Sequence, residues 1–90
     1  MTYRVEYTQA AVKQLKKMDR SVASFVLSFI ESKLVDCENP RLHGKALHGD
    51  LNDIWRYRVG DYRILAKIED AVLLIIVVEI GHRRDIYSRL

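Results

Sequence analysis

The stretch Asp53–Ile68, DIWRYRVGDYRILAKI, decides the fold, because two alternating segments flank a glycine–aspartate pair in it. Bulky apolar and basic residues alternate with a period of two, which is typical of β-strands that bury one face. The pair Gly60-Asp61 suits a two-residue hairpin turn. The stretch therefore predicts a β-hairpin with strands at Asp53–Val59 and Tyr62–Ile68.

The two-residue turn also predicts which residues of the hairpin face each other. Val59 is expected opposite Tyr62 and Arg58 opposite Arg63, and directly opposed residues project from the same face of a sheet. The aromatic and aliphatic residues therefore form the core side. The other side is predicted to carry four basic residues, Arg56, Arg58, Arg63 and Lys67.

The predicted basic face contains a pair of like charges. Such a pair costs about 0.2–1 kcal/mol in an exposed ladder, so Arg58 opposite Arg63 points to a bound anion. The planar guanidinium fork matches the oxygens of a phosphate group. A plainer interpretation also fits, because basic residues are ordinary on an exposed strand face. Carboxylates available to neutralise them are Asp53, Asp61 and Glu79.

The remaining periodicities predict an α+β domain that covers residues 1–90. Two N-terminal helices pack on one face of a mostly antiparallel sheet in the order β-α-α-β-β-β, with room for a short C-terminal helix. The predicted elements outside the hairpin are a strand at Tyr3–Tyr7, a helix from Gln9 capped by Thr8, a second helix after Asp19 that Asn39-Pro40 ends, a loop at Arg41–Asn52, and a buried central strand at Ala71–Ile80.

The composition bounds the classes of function. The 15 Lys and Arg residues against 12 Asp and Glu give a net charge of +3, a mild bias toward nucleic acid or acidic partners. Cys37 is the only cysteine, which excludes an internal disulfide. His43 and His48 lack a metal-ligand pattern, so neither a metal nor a cofactor is expected. There is no signal-peptide pattern, and the apolar run Ala71–Val78 is too short for a membrane span, so we expect a cytoplasmic protein without a membrane partner.

The C-terminal tail adds polar groups behind the last predicted strand. His82, Arg83 and Arg84 follow Gly81, where the backbone can turn and project side chains. A lone histidine is more often a surface or hydrogen-bonded residue, and a tyrosine near a terminus, here Tyr87, more often contributes to packing. Position alone leaves both a structural and a chemical role open for these residues.

These segments resemble the RelE/ParE toxin superfamily over nearly the whole chain and in the same order. The first strand and helix are similar to its opening elements, and Lys45–Gly49 (KALHG) resembles its K-x-L-x-G segment. The most specific similarities are Trp55–Ile64 (WRYRVGDYRI) and Ile80–Tyr87 (IGHRRDIY). The resemblance implies a RelE-like fold and the toxin of a type II toxin–antitoxin system, neutralised by a cognate antitoxin.

The resemblance also implies ribosome-dependent, metal-independent cleavage of messenger RNA in the A site, by attack of the RNA's own 2′-hydroxyl, and promoter DNA as a partner of the toxin–antitoxin complex only. The family's active positions correspond to Arg56, Arg58, Arg63, Arg83 and Tyr87. Arg56 and Arg58 stand where the best-known members have lysines. Because arginine stays protonated, the proton is expected to be transferred by Tyr87 or His82. RNA-binding roles are expected for Lys45, Lys67 and Arg84.

Two other functions stay open from the sequence. ParE-like relatives share the fold but inhibit DNA gyrase by binding to it, and fold alone does not separate these activities. A non-catalytic nucleic-acid-binding module would use the same basic face. That module is disfavoured because Trp55, Tyr57 and Tyr62 are predicted to point inward, away from single-stranded bases. The clustered arginines together with Tyr87 favour the nuclease.

Overall fold

Five strands form one mixed sheet in the computed structural model, which describes residues 1–47 and 54–86. In chain order they are β1 (Arg4–Tyr7), β2 (Gly44–Ala46), β3 (Ile54–Val59), β4 (Tyr62–Glu69) and β5 (Leu74–His82). Their spatial order is β1-β5-β4-β3-β2; β1 runs parallel to β5, and the other neighbours are antiparallel. The predicted α+β class and mostly antiparallel sheet are confirmed.

Two helices follow β1, as predicted: α1 (Gln9–Lys17) and α2 (Arg20–Phe29). The Thr8 hydroxyl caps α1 by accepting a hydrogen bond of 3.1 Å from the Ala11 amide. The predicted end of the second helix at Asn39-Pro40 is wrong. After α2 the chain forms one π-helical turn, Ile30–Leu34, and then leaves the helix at Val35, whose backbone is extended.

The helices cover one face of the sheet, which holds the main hydrophobic core. Ala11 of α1 and Val26 of α2 are fully buried there. The sheet contributes Tyr57, Val59, Ile64, Ala66, Ile75, Val77 and Ile80. We call this side of the sheet the helical face and the opposite side the basic face. A short helix, α3 (Arg83–Ile86), follows β5 and contacts both β5 and β4, so the C-terminal helix is also confirmed.

The hairpin has the register that the turn predicts. Val59 pairs with Tyr62, and Arg58 pairs with Arg63. Gly60 adopts a left-handed conformation, with φ of 59°, which glycine tolerates without steric cost. The first hairpin strand is described from Ile54 onward; the predicted start at Asp53 lies outside the described residues.

A β-bulge in β5 changes which of its side chains reach each face. Leu65 pairs with Glu79 but Ala66 pairs with Val77, so Val78 is an extra residue on β5. The Val78 carbonyl accepts a 2.9 Å hydrogen bond from the Thr8 hydroxyl. As a result, Glu79 no longer shares the register of the core residue Val77 two positions before it, and its carboxylate accepts a 3.0 Å hydrogen bond from Gln14 of α1.

Two predicted boundaries need correction. The predicted loop Arg41–Asn52 contains a strand, β2, which pairs with β3. The last strand begins at Leu74 rather than Ala71, because Asp70–Val72 form a 3₁₀ turn and Leu73 is left-handed, with φ of 53°. This strand lies inside the sheet, as predicted, and runs on to His82.

None of the helices in the described part of the chain is long and apolar enough to cross a membrane.

Candidate functional site

Four basic residues lie in two adjacent rows of the basic face. Lys45 of β2 pairs with Arg56 of β3, and two residues further along β3 Arg58 pairs with Arg63 of β4. Directly opposed Cβ atoms in an antiparallel ladder are about 4.5–5.5 Å apart. The side chains of each row therefore leave the sheet as near neighbours on one side. The sequence predicted three of the four from the hairpin register alone.

A surface cavity of about 290 Å³ lies against these rows. Its volume is close to the lower limit of about 300 Å³ for small-molecule pockets. Its lining comes from the segment before and within β2 and from β3: Leu42, His43, Gly44, Lys45, Arg56 and Arg58. Three of these six residues are basic, and none of the lining residues within 1–47 and 54–86 is acidic. The cavity thus suits an anionic group.

The β2 wall of this cavity is positioned by Tyr57. The Tyr57 hydroxyl donates a buried 2.6 Å hydrogen bond to the Pro40 carbonyl, and burial raises the pKa of this phenol, so it stays a donor. Gly44 lies directly on the ring. A Cβ at position 44 would come within 2.8 Å of Tyr57 Cε1 and 3.0 Å of the Arg56 carbonyl oxygen. Only glycine lets β2 approach β3 this closely without a shift.

A second anchor holds the same segment at Arg41. Its guanidinium donates to both carboxylate oxygens of Asp70, at 3.0 and 2.8 Å, and stacks on Trp55 at 5.5 Å from the ring centroid. The Tyr3 hydroxyl donates a further 2.6 Å hydrogen bond to Asp70. We call Tyr3, Arg41 and Asp70 the clamp. The bonds from Arg41 and then from Tyr3 lower the pKa of Asp70 to about 2.

The hairpin turn gathers two more of the predicted arginines. Arg63 Nη1 donates to the carbonyls of Gly60 and Tyr62, both at 2.9 Å. Arg83 lies on the other side of the turn, where its amide donates to the Asp61 carbonyl at 2.8 Å and its Nε is 3.6 Å from Asp61 Oδ1. Both side chains are held at the turn that carries Arg58 on its first strand. Positively charged residues of β3, β4 and the start of α3 therefore lie near one turn.

The structure places the other predicted residues elsewhere. Lys67 is four residues along β4 from Arg63, and its Nζ is 3.4 Å from Glu69. Arg84 is exposed on α3, and its amide donates to His82 Nδ1 at 3.2 Å. The His82 ring packs edge-on against Tyr62 at 5.4 Å, and by register it belongs to the helical face. Tyr87 lies outside the described residues.

His43 is the cavity residue that sequence reasoning missed. The sequence places it in a predicted loop, where its residue type suggests at most a metal ligand. The signal for its position was present nearby, because Lys45 follows it by two residues, and residues two apart in a strand share a face. His43 and Lys45 reach Arg56 only because β2 pairs with β3. The sequence between these two strands shows no periodicity, so their pairing could not be predicted from local sequence.

The arrangement can bind an extended polyanion. The cations run from Lys45 past Arg56 and Arg58 to the hairpin turn, where the contacts of Arg63 and Arg83 reduce the cost of ordering these two side chains around a phosphate. Aromatic residues of the hairpin do not add to this face: Tyr57 is fully buried on the helical face, and Trp55 and Tyr62 share that face by register. Binding to this face would therefore depend on charge and hydrogen bonds rather than on base stacking.

Comparisons with known proteins identify the family of the chain. The family described as the ParE toxin of type II toxin–antitoxin systems matches residues 5–87. The toxin RelG of Mycobacterium tuberculosis is 32% identical over 89 residues, which cover 99% of this chain and 100% of the relative. The toxin RelE of the same organism is 29% identical over 85 residues, covering 94% and 86%.

A solved structure has the same fold. The toxin–antitoxin complex RelBE2 from Mycobacterium tuberculosis contains a chain that superposes with a TM-score of 0.83 at 28% identity, over 94% of this chain and 95% of the other. The match therefore includes the sheet, the two N-terminal helices and the hairpin. The chain belongs to the ParE toxin family of type II toxin–antitoxin systems, within the RelE/ParE superfamily.

Proposed function

We propose that this toxin is a ribosome-dependent endoribonuclease that cuts messenger RNA in the ribosomal A site and so inhibits translation. One observation carries the proposal: a cavity lined by Lys45, Arg56 and Arg58 opens on the sheet face opposite α1 and α2. Its charge and size suit one phosphodiester and the adjoining sugar. The similarity to the toxins RelG and RelE supports a toxin of the RelE type.

The proposed reaction uses the RNA's own 2′-hydroxyl as nucleophile. Attack on the adjacent phosphorus gives a phosphorane with extra negative charge, which positioned cations stabilise more strongly than they stabilise the ground state. Arg58, Arg63 and Arg83 are the candidates for this role, with Arg56 beside them. Lys45, Lys67 and Arg84 would hold the flanking backbone, and Lys67 would first have to exchange its contact with Glu69.

The proton-transfer group stays a prediction. Tyr87 and His82 are the two residues that the sequence offered for this role. His82 packs against Tyr62 and accepts a hydrogen bond from the Arg84 amide, so it would have to turn away from both to reach the basic face. In its present position His82 is therefore not available as a base. The hairpin and α3, within residues 54–86, supply positive charge to the basic face.

The proposed partners follow from the same assignment. A cognate antitoxin would neutralise the toxin, in line with the similarity to a chain of the toxin–antitoxin complex RelBE2. The ribosome and messenger RNA would be the substrate assembly, in the cytoplasm. Promoter DNA would be bound only by the toxin–antitoxin complex.

A second candidate function is inhibition of DNA gyrase by protein binding. The specific observation in its favour is that the matching family is named after the ParE toxin. On that account the basic face would contact an acidic protein surface or gyrase-bound DNA without bond cleavage. The two functions differ in the macromolecule that is damaged in cells.

The test is brief expression in bacteria followed by primer extension on a reporter message. We expect codon-phased cuts with the wild type and none with Arg63→Ala or Arg83→Ala, because the phosphorane charge goes uncompensated. Arg4→Ala is the matched control, since Arg4 also bonds a carbonyl and pairs with a carboxylate, but on β1 at the other edge of the sheet. Undiminished growth arrest by both folded variants would contradict the proposal, and DNA breaks with intact messages would favour gyrase.

A further inference from the structure

We propose that His43 is the general base of the cavity, taking the proton from the RNA 2′-hydroxyl. This inference rests on the proposed function and adds a catalytic residue to it. The carrying observation is that His43 lines the same cavity as Lys45, Arg56 and Arg58.

The placement of His43 is built into the fold. The residue after it, Gly44, lies against the Tyr57 ring and pairs with Tyr57 across the ladder. The chain before it is held by the Tyr57 hydroxyl on Pro40 and by Arg41 of the clamp. His43 therefore stands between two anchored points, and its exposed side chain is carried at the cavity wall rather than on a free loop.

The chemistry of the cavity requires a group of this kind. Guanidinium and ammonium groups ordinarily stay protonated near neutral pH, so groups of this kind stabilise charge rather than accept a proton. Histidine is the side chain that ordinarily gains and loses a proton near neutral pH. Among the described residues that line the cavity, His43 supplies the one imidazole.

The proposed step balances without a metal or a redox partner. The neutral imidazole of His43 takes the 2′-hydroxyl proton while the 2′-oxygen forms a bond to phosphorus. The bond from phosphorus to the 5′-oxygen then breaks, and that oxygen takes a proton from water. The imidazolium returns its proton to water. The products are a 2′,3′-cyclic phosphate and a 5′-hydroxyl.

The inference is tested with His43→Gln in a cleavage assay on purified translating ribosomes, followed from pH 5.5 to 8.5. Glutamine keeps a polar side chain of similar reach but cannot serve as a base. We expect kcat to fall by at least about 100-fold, the lower end of general acid–base catalysis, with little change in KM. We also expect the rise in rate through the range where imidazole loses its proton to disappear, and added imidazole to restore part of the rate of His43→Ala. Arg4→Ala serves again as the control.

The outcomes separate the two proposals. Wild-type protein that leaves messenger RNA intact overturns the nuclease assignment and this inference together. Cleavage by the wild type with an unchanged pH profile in His43→Gln overturns the inference alone. A rise in KM with kcat unchanged also overturns it, because His43 would then only bind RNA.

Discussion

At the scale of single residues, the Arg58–Arg63 pair links sequence to function most directly. Two guanidinium groups stand opposite each other in the ladder, an arrangement that weakens an exposed sheet. The structure offsets it only in part, because Arg63 is turned to the carbonyls of Gly60 and Tyr62 rather than to a carboxylate. A phosphate between the two side chains would remove the remaining repulsion, which is why we propose that the pair belongs to the site.

The clamp gives a residue-scale prediction with a pH signature. The pKa of Asp70 is lowered to about 2 in the folded protein, below the ordinary aspartate value of about 3.9. The carboxylate therefore contributes stability that is fully present above about pH 4 and is lost as the pH falls toward 2. Asp70→Asn should lower the thermal midpoint at pH 6, and the gap from wild type should close as the pH approaches 2.

The control for the clamp is Asp19→Asn, the same chemical change at a helix cap whose side chain makes no capping hydrogen bond. Thermal unfolding of the three proteins from pH 6 to pH 2 makes the comparison. If the difference in thermal midpoint between Asp70→Asn and wild type stays constant down to pH 2, the hydrogen bonds from Arg41 and Tyr3 do not stabilise the ionised form of the Asp70 carboxyl group.

At the scale of elements, the hairpin and β2 show what the sequence could and could not predict. The register of the hairpin was predictable to the residue, because alternation and a two-residue turn are both local, although β4 runs to Glu69, one residue past the predicted end at Ile68. β2 was not, because three residues are too few to display a period, and one of them is a glycine. The bulge at Val78 could not be predicted either, because it lies in an uninterrupted run of apolar residues. It shifts the alternation of the residues after it by one, and His82 therefore belongs to the helical face.

Gly44 gives the element-scale prediction. In Gly44→Ala the new methyl group would press on the Tyr57 ring, and overpacking of this kind costs about 1–3 kcal/mol. For a domain of this size each kcal/mol lowers the thermal midpoint by roughly 4–8 °C. Cleavage should fall further than stability alone explains, because β2 carries Lys45 and follows His43. Ala46→Ser, on the same strand at an exposed position, is the control.

Calorimetry and the ribosome cleavage assay test this prediction on the same samples, at a temperature where every variant is folded. Full activity in a destabilised Gly44→Ala variant would show that the cavity does not depend on the approach of β2 to β3.

At the scale of the whole molecule, the two faces of the sheet differ in the residues that they carry. The helical face holds the hydrophobic core, and the basic face carries the cations and the cavity. The division followed from strand alternation, so the sequence predicted the sides correctly. It could not predict the cavity, which forms only where the anchored segment from Pro40 to Ala46 meets β3, a contact between parts of the chain that show no common pattern.

The most direct test of the central claim is the chemistry of the RNA ends. Purified protein is added to ribosomes stalled on a defined message, and the products are analysed by mass spectrometry, with Arg58→Ala beside the wild type. The account predicts 5′-hydroxyl ends and 2′,3′-cyclic phosphates, or their hydrolysed form, with the wild type only. Intact message with both proteins, or cuts that leave 5′-phosphates, would contradict it.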